Sequence, residues 1–297
     1  MAESIGIVGG GALGTLLASR LAAAGASVLV VERDPARENA LRRDLPAVTV
    51  SRDPGAFRPA SLVYLCIKAY DTAAAAAGLR ALEFPRTAIC SLQNGWGNLE
   101  ALETALPGAP LVSGTTALGA WLDDSGRLHA STEGMTRVAP WDGAPAERAE
   151  EAALALRRAG FAVELRDDAR AMLWRKLTLN AAVNPLTAIA MRPNGALLEE
   201  PTLARLSERA ALEAARVGAR LGHVPADWDP RPELRELIEE TRENRSSMSQ
   251  DLAAGRRTEI DAIAGAVVRA AGAAGEPAPV LRALDALVRA VEAPSAG

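Results

Sequence analysis

Ile5-Gly6-Ile7-Val8-Gly9-Gly10-Gly11-Ala12-Leu13-Gly14 is the stretch that decides the fold of this chain. Ile5 to Val8 reads as a strand. An apolar-periodic helix follows the glycines through Leu16, Leu17, Leu21 and Ala24, and Ser27 to Val31 reads as a second strand. Strand, glycine turn, helix and strand within about thirty residues is the setting in which a Gly-x-Gly-x-x-Gly spacing marks a dinucleotide-binding unit. Gly9 permits the tight turn, Gly11 lets the backbone approach a pyrophosphate, and Gly14 lets the helix close onto the strand. Gly10, Ala12 and Leu13 complete the loop, where the helix start offers donors and positive potential to phosphates. S-adenosylmethionine enzymes also open on glycine-rich turns, but the six-residue spacing favours a dinucleotide.

The end of the second strand bears on which dinucleotide. Glu32, eighteen residues after Gly14, stands where a carboxylate would accept from the ribose 2′-hydroxyl of NAD, and Arg33 beside it could pair with the 2′-phosphate of NADP. Both readings stay open from the residues alone. Arg37, Arg42 and Arg43 follow at helical distances and could add charge for a phosphate, but a solvated helix face is the favoured reading.

The sheet continues beyond this unit. Ser61 to Ile67 is an apolar run that reads as a buried parallel strand with Lys68 at its carboxyl end, and Ala88 to Leu92 is another, ending in Gln93-Asn94-Gly95. Ligands of open α/β sheets lie outside the carboxyl ends of the strands, so Lys68 and Asn94 are expected to face the crevice of the glycine turn. Val112 to Trp121, Arg127 to Ser131 and Thr136 to Pro140 read as antiparallel strands, with a turn at Asp123-Asp124-Ser125-Gly126. A helix opening on Pro145 and running to Ala159 leads to a last strand, Phe161 to Leu165. Asp167-Asp168 makes a helix start. The expected organisation is an α/β dinucleotide-binding domain of the Rossmann type over residues 1–167 and an all-helical domain over residues 168–297.

In the second half only helical periodicity appears. Met172 to Thr187 is a helical pattern in which Lys176, Asn180 and Asn184 stand four apart and drift about 40° per step, so they share one stripe. Leu177, Leu179, Ala181 and Val183 between them need a core, and the stripe is expected to border that core at a cleft. Of 33 cationic side chains only Lys68 and Lys176 are lysines. A chain that otherwise uses arginine keeps lysine where a titratable ammonium is required. Pro185 is expected to kink the helix and to bias Asn184 away from helical geometry. Farther on, Asn244 and Ser247 are expected to share a helix face. Glu259 would be rotated about 120° from Ser247 on a straight helix, so a break near Gly255 is needed for both to face one pocket.

Composition narrows the function classes. A net charge of −4 without a basic run argues against a nucleic-acid partner, and no run approaches ~20 apolar residues, which argues against a membrane span. Met1-Ala2-Glu3-Ser4 carries no charged leader pattern, and a cytoplasmic location is expected. Cys66 and Cys90 sit in apolar strand-like runs and read as core packing. His129 and His223 lie outside any ligand cluster, so no metal site is expected.

Taken in order, the glycine turn, the Ile67-Lys68-Ala69 run, Gln93-Asn94-Gly95, Lys176 with Asn180 and Asn184, the Asn244-Arg245-Ser246-Ser247-Met248 block and Thr258-Glu259-Ile260-Asp261 resemble the ketopantoate reductase family along essentially the whole chain. The resemblance implies a Rossmann-type domain followed by a helical domain like that of 6-phosphogluconate dehydrogenase. It also implies NADPH-dependent reduction of ketopantoate to pantoate on the way to pantothenate. It implies Lys176 as general acid and Glu259 as its carboxylate partner, with Asn94, Asn180, Asn184, Asn244 and Ser247 as substrate contacts. Gly9 to Gly14, Arg33, Lys68 and Asn94 would hold the cofactor, with NAD kept open because Glu32 adjoins Arg33. The partner is then a small 2-oxo acid, and a homodimer is compatible with the family. The alternatives are a reductase of another 2-oxo acid or imine and a non-catalytic dinucleotide sensor. Retention of both lysines and Glu259 argues against the sensor.

Overall fold

The structure is a computed structural model that describes residues 4–57, 60–80, 82, 86–123, 125–131 and 134–292. Met1, Ala2 and Glu3 at the amino terminus and Asp124 of the expected turn lie outside the described residues. The chain divides into two compact units. One holds residues 1–93 and 98–172, and the other holds residues 94–97 and 173–297.

The first unit is built on a sheet whose opening strands carry the glycine turn: β1 (Ser4–Val8), then α1 (Ala12–Ala23), β2 (Ser27–Val31), α2 (Pro35–Asp44) and β3 (Thr49–Ser51). It continues through β4 (Leu62–Leu65), α3 (Thr72–Leu79), β5 (Ala88–Ser91), α4 (Asn98–Ala105) and β6 (Leu111–Thr116). β7 (Ala120–Leu122), β8 (Leu128–Ala130), β9 (Thr136–Pro140), α5 (Ala146–Arg158) and β10 (Val163–Leu165) follow. The eight-stranded sheet runs β10-β9-β6-β5-β4-β1-β2-β3, parallel from β3 to β6. Its order 3-2-1-4-5-6 is the doubly wound dinucleotide-binding arrangement, with the switch point between β1 and β4. Every residue of β4 and β5 is buried, as a strand covered by helices on both faces requires. Tyr64 in β4 is fully buried and satisfies its hydroxyl by donating to the Ala152 carbonyl in α5 at 2.8 Å.

Two sequence expectations are corrected here. The run Val112 to Trp121 is two strands. β6 pairs parallel with β5 and antiparallel with β9, whereas β7 pairs only with β8 in a separate two-stranded sheet. The break falls at residues 117–119, where Ala117 donates to the Met135 carbonyl and the Gly119 N–H to the Ser131 hydroxyl. β3 was missed altogether because three residues on a sheet edge carry almost no periodicity.

α6 (Ala169–Ala190) begins in the first unit and continues into the second. α7 (Ala196–Glu199), α8 (Pro201–Arg220), α9 (Arg231–Glu240), α10 (Ser247–Ala253), α11 (Ala264–Ala274) and α12 (Pro279–Glu292) follow, with no strand among the described residues. The core of this unit gathers Trp174, Leu177, Ala181 and Val183 of α6 with Ala214 and Val217 of α8, Val267 of α11 and Leu281 and Leu284 of α12. Glu213 in α8 is buried and accepts from the N–H groups of Val280 and Leu281 at 3.1 and 3.0 Å, capping α12 from a distance.

Asn184 does not leave helical geometry, contrary to expectation: α6 runs unbroken through Asn184 and Pro185. The Thr187 hydroxyl donates back to the Val183 and Asn184 carbonyl oxygens at 2.9 and 3.2 Å, and the helix loses at Pro185 only the one bond that its N–H would have given to the Ala181 carbonyl. Asn244 and Ser247 share no helix either. Asn244 lies in the turn before α10, and Ser246 caps that helix by accepting from the Ser249 N–H at 3.1 Å. The expected break at Gly255 is present, with φ +62 just past α10. No helix among the described residues is long and apolar enough to cross a membrane.

Candidate active site

The cofactor half is set at the switch point. Gly9 has φ +98, and its N–H donates to the Val31 carbonyl at 2.9 Å. A side chain there would run into Ile67 and the Cys66 carbonyl beyond β4. A Cβ on Gly14 would overlap the Gly9 carbonyl oxygen, so α1 can approach the turn only because position 14 is glycine. Gly11 differs from both. It is the N-cap of α1, no side chain caps it, and a Cβ built on it meets nothing within 4 Å. The start of a twelve-residue helix therefore opens onto free space at the one glycine that packing does not demand. That cradle fits a pyrophosphate.

Two side chains from beyond β2 hold the turn in shape. Glu32 accepts from the Gly10 N–H at 2.7 Å through one oxygen and from the Asp34 N–H at 2.9 Å through the other. Arg37 donates through Nε to the Gly10 carbonyl and through Nη2 to the Thr15 hydroxyl, both at 2.6 Å. Arg37 is half-buried, and desolvation lowers its pKa against the pull of Glu32. The solvated-face reading of Arg37 is thus corrected, since it clamps the glycine turn. Arg33 is paired with Asp71 at 2.7 Å while its side chain remains 71% exposed. Asp71 closes the short turn that opens at Lys68, and its N–H donates to the Lys68 carbonyl at 2.9 Å. Asp71 thus links Arg33 to the short turn that opens at Lys68. Gln93 at the end of β5 is a packing residue: its amide donates to the Thr72 hydroxyl at 2.8 Å and accepts from Ser91 at 3.0 Å. Cys66 and Cys90 are free thiols, and burial pushes Cys66 up to about 12 and Cys90 higher still. Cys90 lies in the core and Cys66 packs at its edge, and neither thiol is activated.

The second unit carries the titratable pair. Lys176, Asn180 and Asn184 lie on one stripe of α6, the first two half-buried and Asn184 buried at 7% exposure. Glu259, at 5% exposure, sits in the turn after Gly255. Its carbonyl accepts from the Ala262 and Ile263 N–H groups at 3.0 Å. Burial pushes the Lys176 ammonium down to about 8, and the Glu259 carboxylate pulls it the other way. Thr258 donates its N–H to Glu292 at the end of α12 at 2.6 Å and accepts from the Ile260 N–H at 3.2 Å, which fixes the Glu259 turn from both sides.

The other expected substrate contacts differ in burial. Asn94 is half-buried and belongs to the second unit through residues 94–97. Ser247 is exposed at the start of α10, next to the buried Ser246, whose hydroxyl lies 2.8 Å from the Thr187 hydroxyl on α6. Asn244 is exposed, and its carbonyl accepts from the Asn194 N–H at 2.9 Å. Sequence reasoning missed Glu292, Arg37 and Trp96, whose roles depend on pairings far apart in the chain. Among the described residues no group of three or more His, Cys, Asp or Glu is placed to hold a metal.

A doubly wound sheet with a phosphate cradle at its switch point, followed by a helical unit with a depressed lysine beside a buried carboxylate, defines a dinucleotide-dependent oxidoreductase. Residues 5–143 match the family model of ketopantoate reductase PanE/ApbA, and residues 168–292 match its C-terminal model. The chain belongs to the ketopantoate reductase family. It is 37% identical over 299 residues to the 2-dehydropantoate 2-reductase of Archaeoglobus fulgidus, covering 98% of each protein. A crystal structure of a PanE/ApbA family ketopantoate reductase from Ralstonia eutropha JMP134 superposes with a TM-score of 0.86 at 31% identity, covering 97% of this chain and 98% of that one. D-mandelate dehydrogenase, solved with NADH and anilino(oxo)acetate, shares the fold at a TM-score of 0.89 and 23% identity, covering 97% and 98%.

Proposed function

We propose that this protein reduces ketopantoate to pantoate at the expense of NADPH, with Lys176 as the proton donor. The observation that carries the reading is Lys176 itself, an ammonium depressed to about 8 beside buried Glu259 and on the same helix stripe as Asn180 and Asn184. In this reading residues 1–167 carry the dinucleotide, and residues 168–297 carry the proton donor and most substrate contacts, with Asn94 joining them. A reduced nicotinamide bound at the glycine turn would supply hydride to the ketone carbon. Negative charge then develops on the ketone oxygen, where the Lys176 ammonium stabilises it and delivers a proton from Nζ. Asn and Ser side chains hold the carboxylate and hydroxyl of the substrate without adding competing charge. Glu259 would repel the substrate carboxylate, so it serves Lys176 or the substrate hydroxyl.

Two features support NADPH. Both oxygens of Glu32 already accept backbone N–H groups, and Arg33 uses a single nitrogen on Asp71 while its remaining donors make no bond among the described residues. Arg33→Ala is expected to erode the preference for NADPH over NADH by roughly 1.5–3 kcal/mol, the range for a hydrogen bond to a charged group. Steady-state constants with both cofactors check this. A wild-type preference for NADH would remove Arg33 from the role.

The substrate is tested by comparing ketopantoate with 2-oxoisovalerate, which keeps the carboxylate and ketone but lacks the hydroxymethyl group. A site that hydrogen-bonds a hydroxyl rejects the analogue lacking it by about 10⁴-fold, because its buried polar groups are left unpaired. Glu259→Ala narrows the gap if Glu259 contacts the hydroxyl and leaves it unchanged if its partner is Lys176. Equal efficiency on the two compounds would instead indicate a broader 2-oxo acid reductase.

A further inference from the structure

Residues 94–97 leave the end of β5 and return at the start of α4, yet they pack within the helical unit. Gly95 and Gly97 have φ +88 and +100, which let the chain reverse twice within four residues. A Cβ on Gly95 would sit 2.5 Å from the Ala262 carbonyl oxygen, so the loop backbone lies directly on the segment just after Glu259. The Trp96 N–H donates to that same oxygen at 2.9 Å. Its ring meets Trp174 edge-on, with centroids 4.9 Å apart at 76°, and lies 4.7 Å from the His223 ring, which is itself 5.0 Å from Trp174. Trp174 is immobile: it is fully buried, it donates through Nε1 to the Ala214 carbonyl at 2.9 Å, and Gly218 fits against its ring only because it lacks a Cβ. Trp174 stands two residues before Lys176, and Ala262 three after Glu259.

We propose that Trp96 is a positioning residue that acts through Asn94, fixing that side chain against the two segments that carry Lys176 and Glu259. The backbone bond to Ala262 sets the height of the loop, and the three-ring cluster sets its rotation. Neither contact touches a substrate. Asn94 lies two residues before Trp96 in the same four-residue segment, so whatever fixes the indole also limits where the Asn94 backbone can stand. The inference rests on the reading of Asn94 as a substrate contact.

The test is a cycle of Trp96→Leu, Asn94→Ala and the double variant, reading the KM for ketopantoate with saturating NADPH. Trp96→Leu is expected to raise KM about tenfold and Trp96→Phe, which keeps a ring, no more than about threefold. In the Asn94→Ala background, Trp96→Leu should add nothing, because the residue it positions is gone. His223→Leu removes one ring from the cluster with less disturbance, so it serves if Trp96→Leu does not fold. It should raise KM about threefold in the wild-type background and not at all with Asn94→Ala. Additive effects in either cycle, or an unchanged KM in Trp96→Leu, overturn the proposal. An unchanged KM in Asn94→Ala alone overturns the substrate reading of Asn94 instead, whatever the tryptophan variants do.

Discussion

In the proposed reaction Lys176 supplies one proton, and the same proton bears on stability. The unfolded chain holds that proton up to the ordinary value of 10.5, the folded chain only to about 8. Between the two the unfolded state binds more protons, so stability rises with pH across that window and the cost is fully present below about 8. At pH 7 the cost is on the order of 3 kcal/mol. Lys176→Met is therefore expected to raise the melting temperature at pH 7 and to lose that advantage above pH 10.5, as thermal scans at several pH values will show. Activity has the opposite sign. The acid must be protonated, so kcat/KM for reduction should fall as pH rises through about 8, and Lys176→Ala should lower turnover by at least ~10²-fold. Lys176→Arg should not rescue, since guanidinium does not release its proton near neutral pH. Wild-type turnover in either variant would remove Lys176 from the mechanism.

The glycine turn and its latch behave as one element. Glu32 holds the Gly10 N–H and Arg37 the Gly10 carbonyl, so both polar groups of one peptide segment are fixed before any cofactor arrives. Glu32→Ala should weaken NADPH and NADH binding alike, by about tenfold or more, because it loosens the cradle that both share. A ribose ligand would give a loss confined to NADH, and titration of each cofactor against the variant separates the two. Much of this element was legible in the sequence. The glycine spacing, the parallel strands β4 and β5 and the Lys176 stripe are local patterns, printed by burial on both faces or by helical periodicity. The Arg37 clamp was not legible, because an arginine on a charged helix looks the same whether it faces water or a carbonyl 27 residues back. Asn244 and Ser247 were misplaced for a related reason: the helical spacing was real, but the helix starts only at the Ser246 cap. Pro185 was read as a bias of Asn184 away from helical geometry, but α6 continues through both residues, because a proline inside a long packed helix removes only one backbone bond.

At the scale of the whole molecule, the proposed cofactor site at Gly11 would link ligand binding to folding. Because a Cβ there meets nothing within 4 Å, Gly11→Leu should melt only slightly below the wild-type protein without ligand, by the small cost of a poorer N-cap. The wild type should gain about 2.7 kcal/mol at a hundredfold excess of NADPH over its Kd, and the variant should gain almost nothing. A variant that keeps the ligand-dependent shift would move the pyrophosphate away from the start of α1. The four residues 94–97 bear on inheritance. Genes that exchange segments by a single crossover near residue 172 would give progeny in which a foreign helical half receives a Trp96 selected for different neighbours. Crossovers within this family should therefore survive best when position 96 travels with positions 174 and 223. A library of recombinants between this chain and its relatives would show that bias as a linkage between sites more than seventy residues apart.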